Sequence, residues 1–496
     1  MCNRIPYLFL TWVILLFLTG CQSSNETNRK RKPNLVFILT DEQRYDTSAP
    51  YGNMQIKTPN LNRLGEGGVV FERAYVASPV CSPARSTILT GLYPHTNGVT
   101  SNSIPLSDTV KTFPELINDP EYNSAYIGKW HLGRENDAWH GFDYRFSTEG
   151  WYTDDDTTNQ TDYNKWLVAK GYQPDLTDSK TFSRSFVSTL PYEDSKSKFI
   201  ELKGLEFIEA NKEQPFILYL SFLEPHFPHN GPFNHIHDTS TMVLDSSYYR
   251  FDRPAQGPLN DHMLTGYPSR ELPIKELVAR YWGLVHQVDL TIGKVLDKLR
   301  DADLEENTIV VFTSEHGIML KKFGQNGKSV MYDQSSRVPF IIKAPGVNPI
   351  SVAQPVSHID LVPTLLDLFH VPIPGQLQGQ SLLPIMHGRK TPESTVFMEW
   401  IPKGYSALDI KFCPEWASLR DCVAAKNAQV RTAVTSDGWK LIWNNTHQSQ
   451  LFNLNKDREE LTNLYQDPAY TKQIEVLEDQ ILTWQNETND KYKFSK

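Results

Sequence analysis

Residues 81–91, Cys81-Ser82-Pro83-Ala84-Arg85-Ser86-Thr87-Ile88-Leu89-Thr90-Gly91, set a thiol and a guanidinium four positions apart. Pro83 is tolerated in the first turn of a helix, so Cys81 is expected at a helix start, where free N–H groups and the dipole favour anions. Arg85 then follows one turn later on the same face. Taken alone, this describes a low-pKa thiol beside an arginine, or equally a structural buried cysteine. Two carboxylate-bearing pairs stand apart from it, Asp41-Glu42 and Glu315-His316. Such pairs suit a hard divalent cation, Ca²⁺ or Mg²⁺, if the fold gathers them at one edge; acidic residues exposed at loop starts are the plainer reading of either pair by itself.

The elements that must do the gathering read as apolar runs. Residues 34–40 (NLVFILT) have the continuous pattern of a strand buried on both faces of a parallel sheet, and similar runs recur at 215–222, 307–313 and 338–343. Helical patterns lie between them, at 198–211, at 359–369 and most clearly at 274–300, where Leu277, Tyr281, Leu284, Val288, Ile292, Val295 and Leu299 recur at steps of three and four. The expected fold is α/β, a large mostly parallel sheet flanked by helices over residues 33–390. Ligands of such sheets bind outside the carboxyl ends of strands, and both carboxylate-bearing pairs follow strand runs. After about 390, short strands at 394–400, 430–435, 439–443 and 450–454 and a helix near 469–486 predict a small C-terminal antiparallel sheet plus helix, over residues 391–496. The stretch 144–197 lacks apolar periodicity and is expected as a long irregular insertion of the kind that forms binding loops. Its Asp154-Asp155-Asp156 reads as a solvated face.

The block C-S-P-A-R-S-T-I-L-T-G resembles the C-x-P-x-R signature of formylglycine-dependent type I sulfatases, within the alkaline-phosphatase-like superfamily. Other segments agree in order: Asp41-Glu42-Gln43 with the first metal segment, Gly128-Lys129-Trp130-His131-Leu132-Gly133 with G-K-W-H-L-G, and Pro225-His226-Phe227-Pro228 with P-H-x-P. Thr313-Ser314-Glu315-His316-Gly317 resembles the second metal segment, Gly327-Lys328 the G-K, Arg337-Val338-Pro339 the strand that follows, and Leu451-Phe452-Asn453-Leu454 with Asp457, Glu460 and Asn463 the closing motif of the small domain. The likeness covers roughly residues 33–466.

The resemblance implies that Cys81 is oxidised by a formylglycine-generating or sulfatase-maturing enzyme to formylglycine (3-oxoalanine). A hydroxyl of its hydrate would attack sulfur, and the other would collapse to the aldehyde and expel sulfate. Asp41, Glu42, Glu315 and His316, with the modified Cys81, would hold the metal. Arg85 would hold the hydrate, Lys129 and Lys328 would neutralise the sulfate oxygens, His226 would protonate the leaving oxygen, and His131 would bond the formylglycine hydroxyl. Glu42 and Glu315 stand where many members carry Asp; Glu42 could rotate away and leave Gln43 as a ligand. His229, His235 and His237 follow closely on His226 and are read as a substrate-contacting or solvent-facing loop rather than a second metal site, because Pro228, Gly231 and Pro232 break any regular ligand spacing.

Composition narrows the rest. With 49 basic and 58 acidic residues among 496 the net charge is −9, which disfavours a nucleic-acid partner. Eleven Trp, 22 Tyr and 24 Phe supply material for a core and argue against disorder. Residues 1–20 read as a signal peptide, with Arg4 ahead of an apolar run from Ile5 to Leu18, too short to span a bilayer. The run ends Leu18-Thr19-Gly20-Cys21, which resembles a bacterial lipobox with Cys21 as the lipidated residue; an ordinary secretory signal cleaved nearby is the alternative. Residues 21–32 form a polar tether. Cys413 and Cys422 could close a small disulfide loop in an oxidising compartment, or remain two buried thiols. The expected protein is an exported lipoprotein on a bacterial membrane, the outer membrane for preference, hydrolysing sulfate esters of algal polysaccharides such as ulvan or carrageenan, or of glycosaminoglycans. A phosphomonoester or phosphonate hydrolase of the same superfamily and a non-catalytic carbohydrate-binding lipoprotein are the alternatives.

Overall fold

The computed structural model describes residues 31–496 apart from 103, 134–139, 150–159, 177–180, 250–272, 410–417, 446–448, 493 and 495–496. The signal peptide with Cys21 and most of the tether, the triple aspartate and Cys413 therefore lie outside the described residues. An eight-stranded sheet runs in the order Ile350–Val352, Val69–Phe71, Phe340–Lys343, Thr308–Ser314, Asn34–Thr40, Phe216–Ser221, Asn123–Gly128 and Tyr144–Ser147. Phe340–Lys343 pairs antiparallel with both of its neighbours, and every other pairing is parallel.

The central strands are apolar on both faces because both faces are covered. Leu35, Phe37 and Leu39 enter one core with Ile217, Tyr219, Ile309 and Val311, beneath the helices Cys81–Thr90 and Leu361–Leu368. Val36 and Ile38 enter the opposite core with Leu218, Leu220, Val310 and Phe312. There they meet the helices Pro59–Glu66, Lys196–Ala210 and Ile274–Asp301. Period-two alternation thus feeds two separate cores from each strand.

A four-stranded antiparallel sheet, Thr395–Trp400, Val430–Thr435, Trp439–Asn444 and Gln450–Asn453, carries the helix Thr471–Glu487. Its inner residues Met398, Val430, Ile442 and Phe452 share a core with Tyr75, Val80, Met319 and Met331. Residues 32–496 form one compact unit.

Two expectations are corrected. The run 338–343 is not one strand: Pro339 lacks the N–H a ladder needs, and the chain switches there. Arg337–Val338 joins Ala74–Tyr75 and Val356–Ser357 in a three-stranded sheet, while Phe340–Lys343 enters the main one. The stretch 144–197 is not irregular throughout. Tyr144–Ser147 is the edge strand of the main sheet, and the helix Asp162–Ala169 buries Tyr163 and Leu167 with Phe182 and Phe199 in a cluster of its own. Among the described residues no helix is long and apolar enough to cross a membrane. Cys422 is disulfide-bonded.

Candidate active site

The carboxyl edge of the sheet collects the chemistry-bearing residues. Asp41 and Glu42 follow Asn34–Thr40, Lys129 follows Asn123–Gly128, His226 comes five residues after Phe216–Ser221, and Glu315 and His316 follow Thr308–Ser314. Close approach of backbones sets this edge. A Cβ on Gly128, whose φ is +119°, would lie 1.8 Å from the Ser221 carbonyl oxygen, so only glycine lets the two strand ends meet. Glu42 (φ 63°), His131 (φ 57°) and Ser329 (φ 72°) also occupy the left-handed region, a sparsely populated conformation that packing must hold in place.

Cys81 opens the helix Cys81–Thr90, with extended Val80 as N-cap and Gly91 (φ 67°) ending it. All ten residues of this helix are buried. Its polar ones are tolerated because they bond back along the turn: the Ser86 hydroxyl donates to the Pro83 carbonyl at 2.8 Å, and that of Thr90 to Ser86 at 2.6 Å. Cys81 Sγ is 2.9 Å from Lys328 Nζ and 3.4 Å from His316 Nε2. Burial alone would raise the thiol, but Lys129 and Lys328 hold it well below the usual range.

Arg85 points from the same helix into the edge. Its Nη1 donates to the Lys129 carbonyl at 2.7 Å, the Ser221 hydroxyl at 2.8 Å and the Tyr126 hydroxyl at 3.2 Å, while its Nε pairs with Glu315. Burial pushes the Glu315 carboxyl up, and Arg85 brings it far below the usual carboxylate range. Lys129 pairs with Asp41 and lies 4.0 Å from Glu315.

Asp41, Cys81, Glu315 and His316 each offer a ligand atom within 4.8 Å of the others, and Asp41, Glu42 and His226 form a second such group. All are buried. Asp41 Oδ1 and Glu42 Oε2 are buried without a hydrogen-bond partner, an expensive state for carboxylate oxygens that a cation would relieve. The donor set therefore fits a hard divalent cation. Glu42 leans toward Lys328 (2.8 Å) and His226 (3.3 Å), outside the first group. Gln43 donates to Thr47 at 3.0 Å, and its Oε1 is buried without a partner.

Beside this cluster lies a cavity of about 300 Å³, with Glu42, Cys81, Lys129, His131, His226 and Lys328 on its polar side. His131 is lowered by burial and by Lys129, against a hydrogen bond with Cys81. His229 lines the cavity and His235 faces solvent. His237 does neither: it is buried, with Nε2 accepting from the Lys57 N–H at 3.1 Å, because Trp282 packs edge-on against it. Several wall residues carried no signal in the sequence. Arg184 reaches in from 144–197, Trp400 from the end of the first strand of the small sheet, and Lys403 and Tyr405 from the segment that follows it.

The sulfatase family profile matches residues 33–371. An ulvan-active sulfatase of Formosa agariphila is 31% identical over 389 residues, covering 75% of this chain and 69% of the relative. The N-acetylglucosamine-6-O-sulfatase of Bacteroides thetaiotaomicron is 25% identical over 558 residues, covering 98% and 91%. In fold the chain is similar to a phosphonate monoester hydrolase of Silicibacter pomeroyi, with a TM-score of 0.75, 23% identity and 92% and 96% covered. It is also similar in fold to a protein solved with its substrate D-glucosamine-2-N,6-O-disulfate, with a TM-score of 0.74, 22% identity and 93% and 99% covered. The profile match opens just ahead of the strand that delivers Asp41 and closes beyond the helix Leu361–Leu368, so it takes in the whole buried cluster around Cys81: the chain belongs to the sulfatase family, enzymes that hydrolyse sulfate esters.

Proposed function

We propose that the protein removes sulfate from a sulfated polysaccharide or its oligosaccharides, using Cys81 matured to formylglycine and a bound Ca²⁺, with Mg²⁺ as the second choice. The observation that carries this reading is the position of Cys81 Sγ at the head of a buried helix, in contact with Lys328 and His316 on the floor of the cavity. Formylglycine hydrate supplies an oxygen nucleophile and the cation offsets charge developing on the sulfate oxygens. Asp41, Glu42, Glu315 and His316 are the residues that would hold the cation.

The chain's own groups do the rest. Arg85, fixed by Glu315, Ser221 and two carbonyl or hydroxyl partners, orients whatever stands at position 81. Lys129 and Lys328 flank that position and bind sulfate oxygens as negative charge grows on them. Burial lowers His226 well below the usual imidazole range, against Asp41 and with Lys328 and Arg184, so it is neutral in the free protein. An incoming sulfate anion opposes those lysines, which lets His226 hold a proton at Nε2 for the leaving oxygen. Phe227, Trp400 and Tyr405 offer ring faces on the leaving-group side, suited to stacking a sugar. Export through the signal peptide and lipid anchoring at Cys21 complete this reading and would bring the enzyme to polymeric substrate outside the cytoplasm.

The test combines a mass spectrum of the Cys81 peptide with sulfate release, on protein produced with a formylglycine-generating enzyme. An aldehyde at position 81 and sulfate released from ulvan, carrageenan or glycosaminoglycan oligosaccharides are expected. An intact thiol, or faster turnover of an aryl phosphate than of the matched aryl sulfate with every glycan refused, would overturn it.

A further inference from the structure

Glu149 is a buried carboxylate held by two cations. Lys196 pairs with its Oε1, while Arg184 grips Oε2 through Nε at 3.1 Å and Nη2 at 2.6 Å. Arg184 side-chain exposure is 20%, against 5% for Glu149 and 7% for Lys196. The trio therefore carries one positive charge more than it neutralises. The next carboxyl along, Glu224, takes a hydrogen bond from Gln287 at 3.2 Å rather than from Arg184.

The excess is directed. With two guanidinium nitrogens committed to Glu149, the third, Nη1, faces the catalytic cavity, 3.3 Å from His226 Nδ1. Phe227 lies under the guanidinium at 5.7 Å, which limits its swing. Arg184 sits in the short helix Arg184–Val187, capped by the Ser183 hydroxyl, which Asp175 in turn binds. A planar, permanently charged donor is thus held in one pose beside the group that serves the leaving oxygen.

We propose that Arg184 reads a second anionic group, a carboxylate or a sulfate, carried on the leaving group close to the scissile oxygen. The inference rests for its substrate on the carbohydrate reading above, where that group belongs to a doubly charged sugar residue. The sulfate being cleaved is assigned to Lys129 and Lys328 beside Cys81, whereas Arg184 stands beside His226, where the leaving group lies. Arg184 acts here as a specificity determinant.

The experiment compares matured wild-type protein with Arg184→Ala on two probes, 4-nitrophenyl sulfate and 2-carboxy-4-nitrophenyl sulfate. The ratio of their kcat/KM values is taken within each protein, and the change in that ratio between proteins cancels the intrinsic reactivity of the carboxylated ester. A fall of at least about tenfold in the ratio is expected, carried mainly by KM for the carboxylated probe, because a donor built for an anion loses its target. Structural damage would lower both probes together and leave the ratio alone. Arg184→Gln, which keeps length and hydrogen bonding without charge, serves as the second variant if the alanine protein does not fold, and the same fall is expected. An unchanged ratio in whichever variant turns over would overturn the inference. Separately, refusal of every sulfated oligosaccharide by wild type, with both aryl probes accepted, would overturn the carbohydrate reading and leave the role of Arg184 standing.

Discussion

Lys328 Nζ sits 2.9 Å from Cys81 Sγ and 2.8 Å from Glu42 Oε1, so one ammonium meets residues 247 and 286 positions earlier in the chain. Half-buried at the cavity wall, it bridges position 81 to Glu42. Lys328→Ala is expected to lower kcat/KM for an aryl sulfate by about 10²–10³, the loss typical of one electrostatic donor to a developing oxyanion. Steady-state kinetics check this; Lys328→Arg recovering little would agree, since a wider guanidinium must displace Glu42.

Cys81→Ala should leave less than about a thousandth of wild-type sulfate release, the usual consequence of removing a covalent nucleophile. The thermal midpoint should move only slightly, because alanine fills the buried helix start without strain. Ion chromatography of released sulfate and a circular-dichroism melt report the two halves.

Removing divalent cation with a chelator should lower both activity and melting temperature. Unpartnered Asp41 Oδ1 and Glu42 Oε2 would then face Lys129, Lys328 and His226 without the ion that the donor set fits. Adding Ca²⁺ back at a hundredfold excess over its Kd should restore about 2.7 kcal/mol. Asp41→Asn should abolish the calcium-dependent shift in a thermal-shift titration.

Glu149 gives a pH signature. Burial raises its carboxyl, yet Arg184 and Lys196 bring it down to about 2 from an ordinary 4.5. A depressed carboxyl contributes stability that is full above about 4.5 and fades as pH falls toward 2. Glu149→Gln should therefore cost about 3 kcal/mol at pH 7, and the gap from wild type should narrow across that window. Denaturant midpoints at pH 7, 4 and 3 measure it; a gap constant with pH would contradict the pairing.

Gly128→Ala should destabilise the protein by more than about 3 kcal/mol, since no rotamer choice relieves a Cβ placed on a backbone carbonyl. The Ser221 carbonyl it meets belongs to the residue whose hydroxyl helps anchor Arg85. Residual activity in any folded fraction should fall as well, which refolding yield and kinetics on soluble protein would record.

Much of the site was legible in the order of residues alone. Asp41, Cys81, Arg85, Lys129, His131, His226, Glu315, His316 and Lys328 sit close after apolar runs, in the first turns of a helix or on tight glycine-bearing turns; the structure puts Cys81, Lys129, His131, His226 and Lys328 on one cavity and Asp41, Arg85, Glu315 and His316 in the buried cluster beside it. Each is positioned by a short local segment whose hydrophobic period or turn chemistry is written within a few residues of it. Arg184, Trp400, Lys403 and Tyr405 could not be found that way. Trp400 ends a run read as a strand and the other three lie in stretches without usable periodicity, but nothing local marks any of them for the cavity, toward which only packing of distant elements turns them. The same holds for the break at Pro339, for the edge strand Tyr144–Ser147 and for the leaning of Glu42 toward Lys328 rather than the Asp41, Cys81, Glu315 and His316 group. Local pattern determined which residues gather at this edge of the sheet; long-range burial and charge pairing decided what surrounds them, because those energies depend on neighbours that lie far away along the chain.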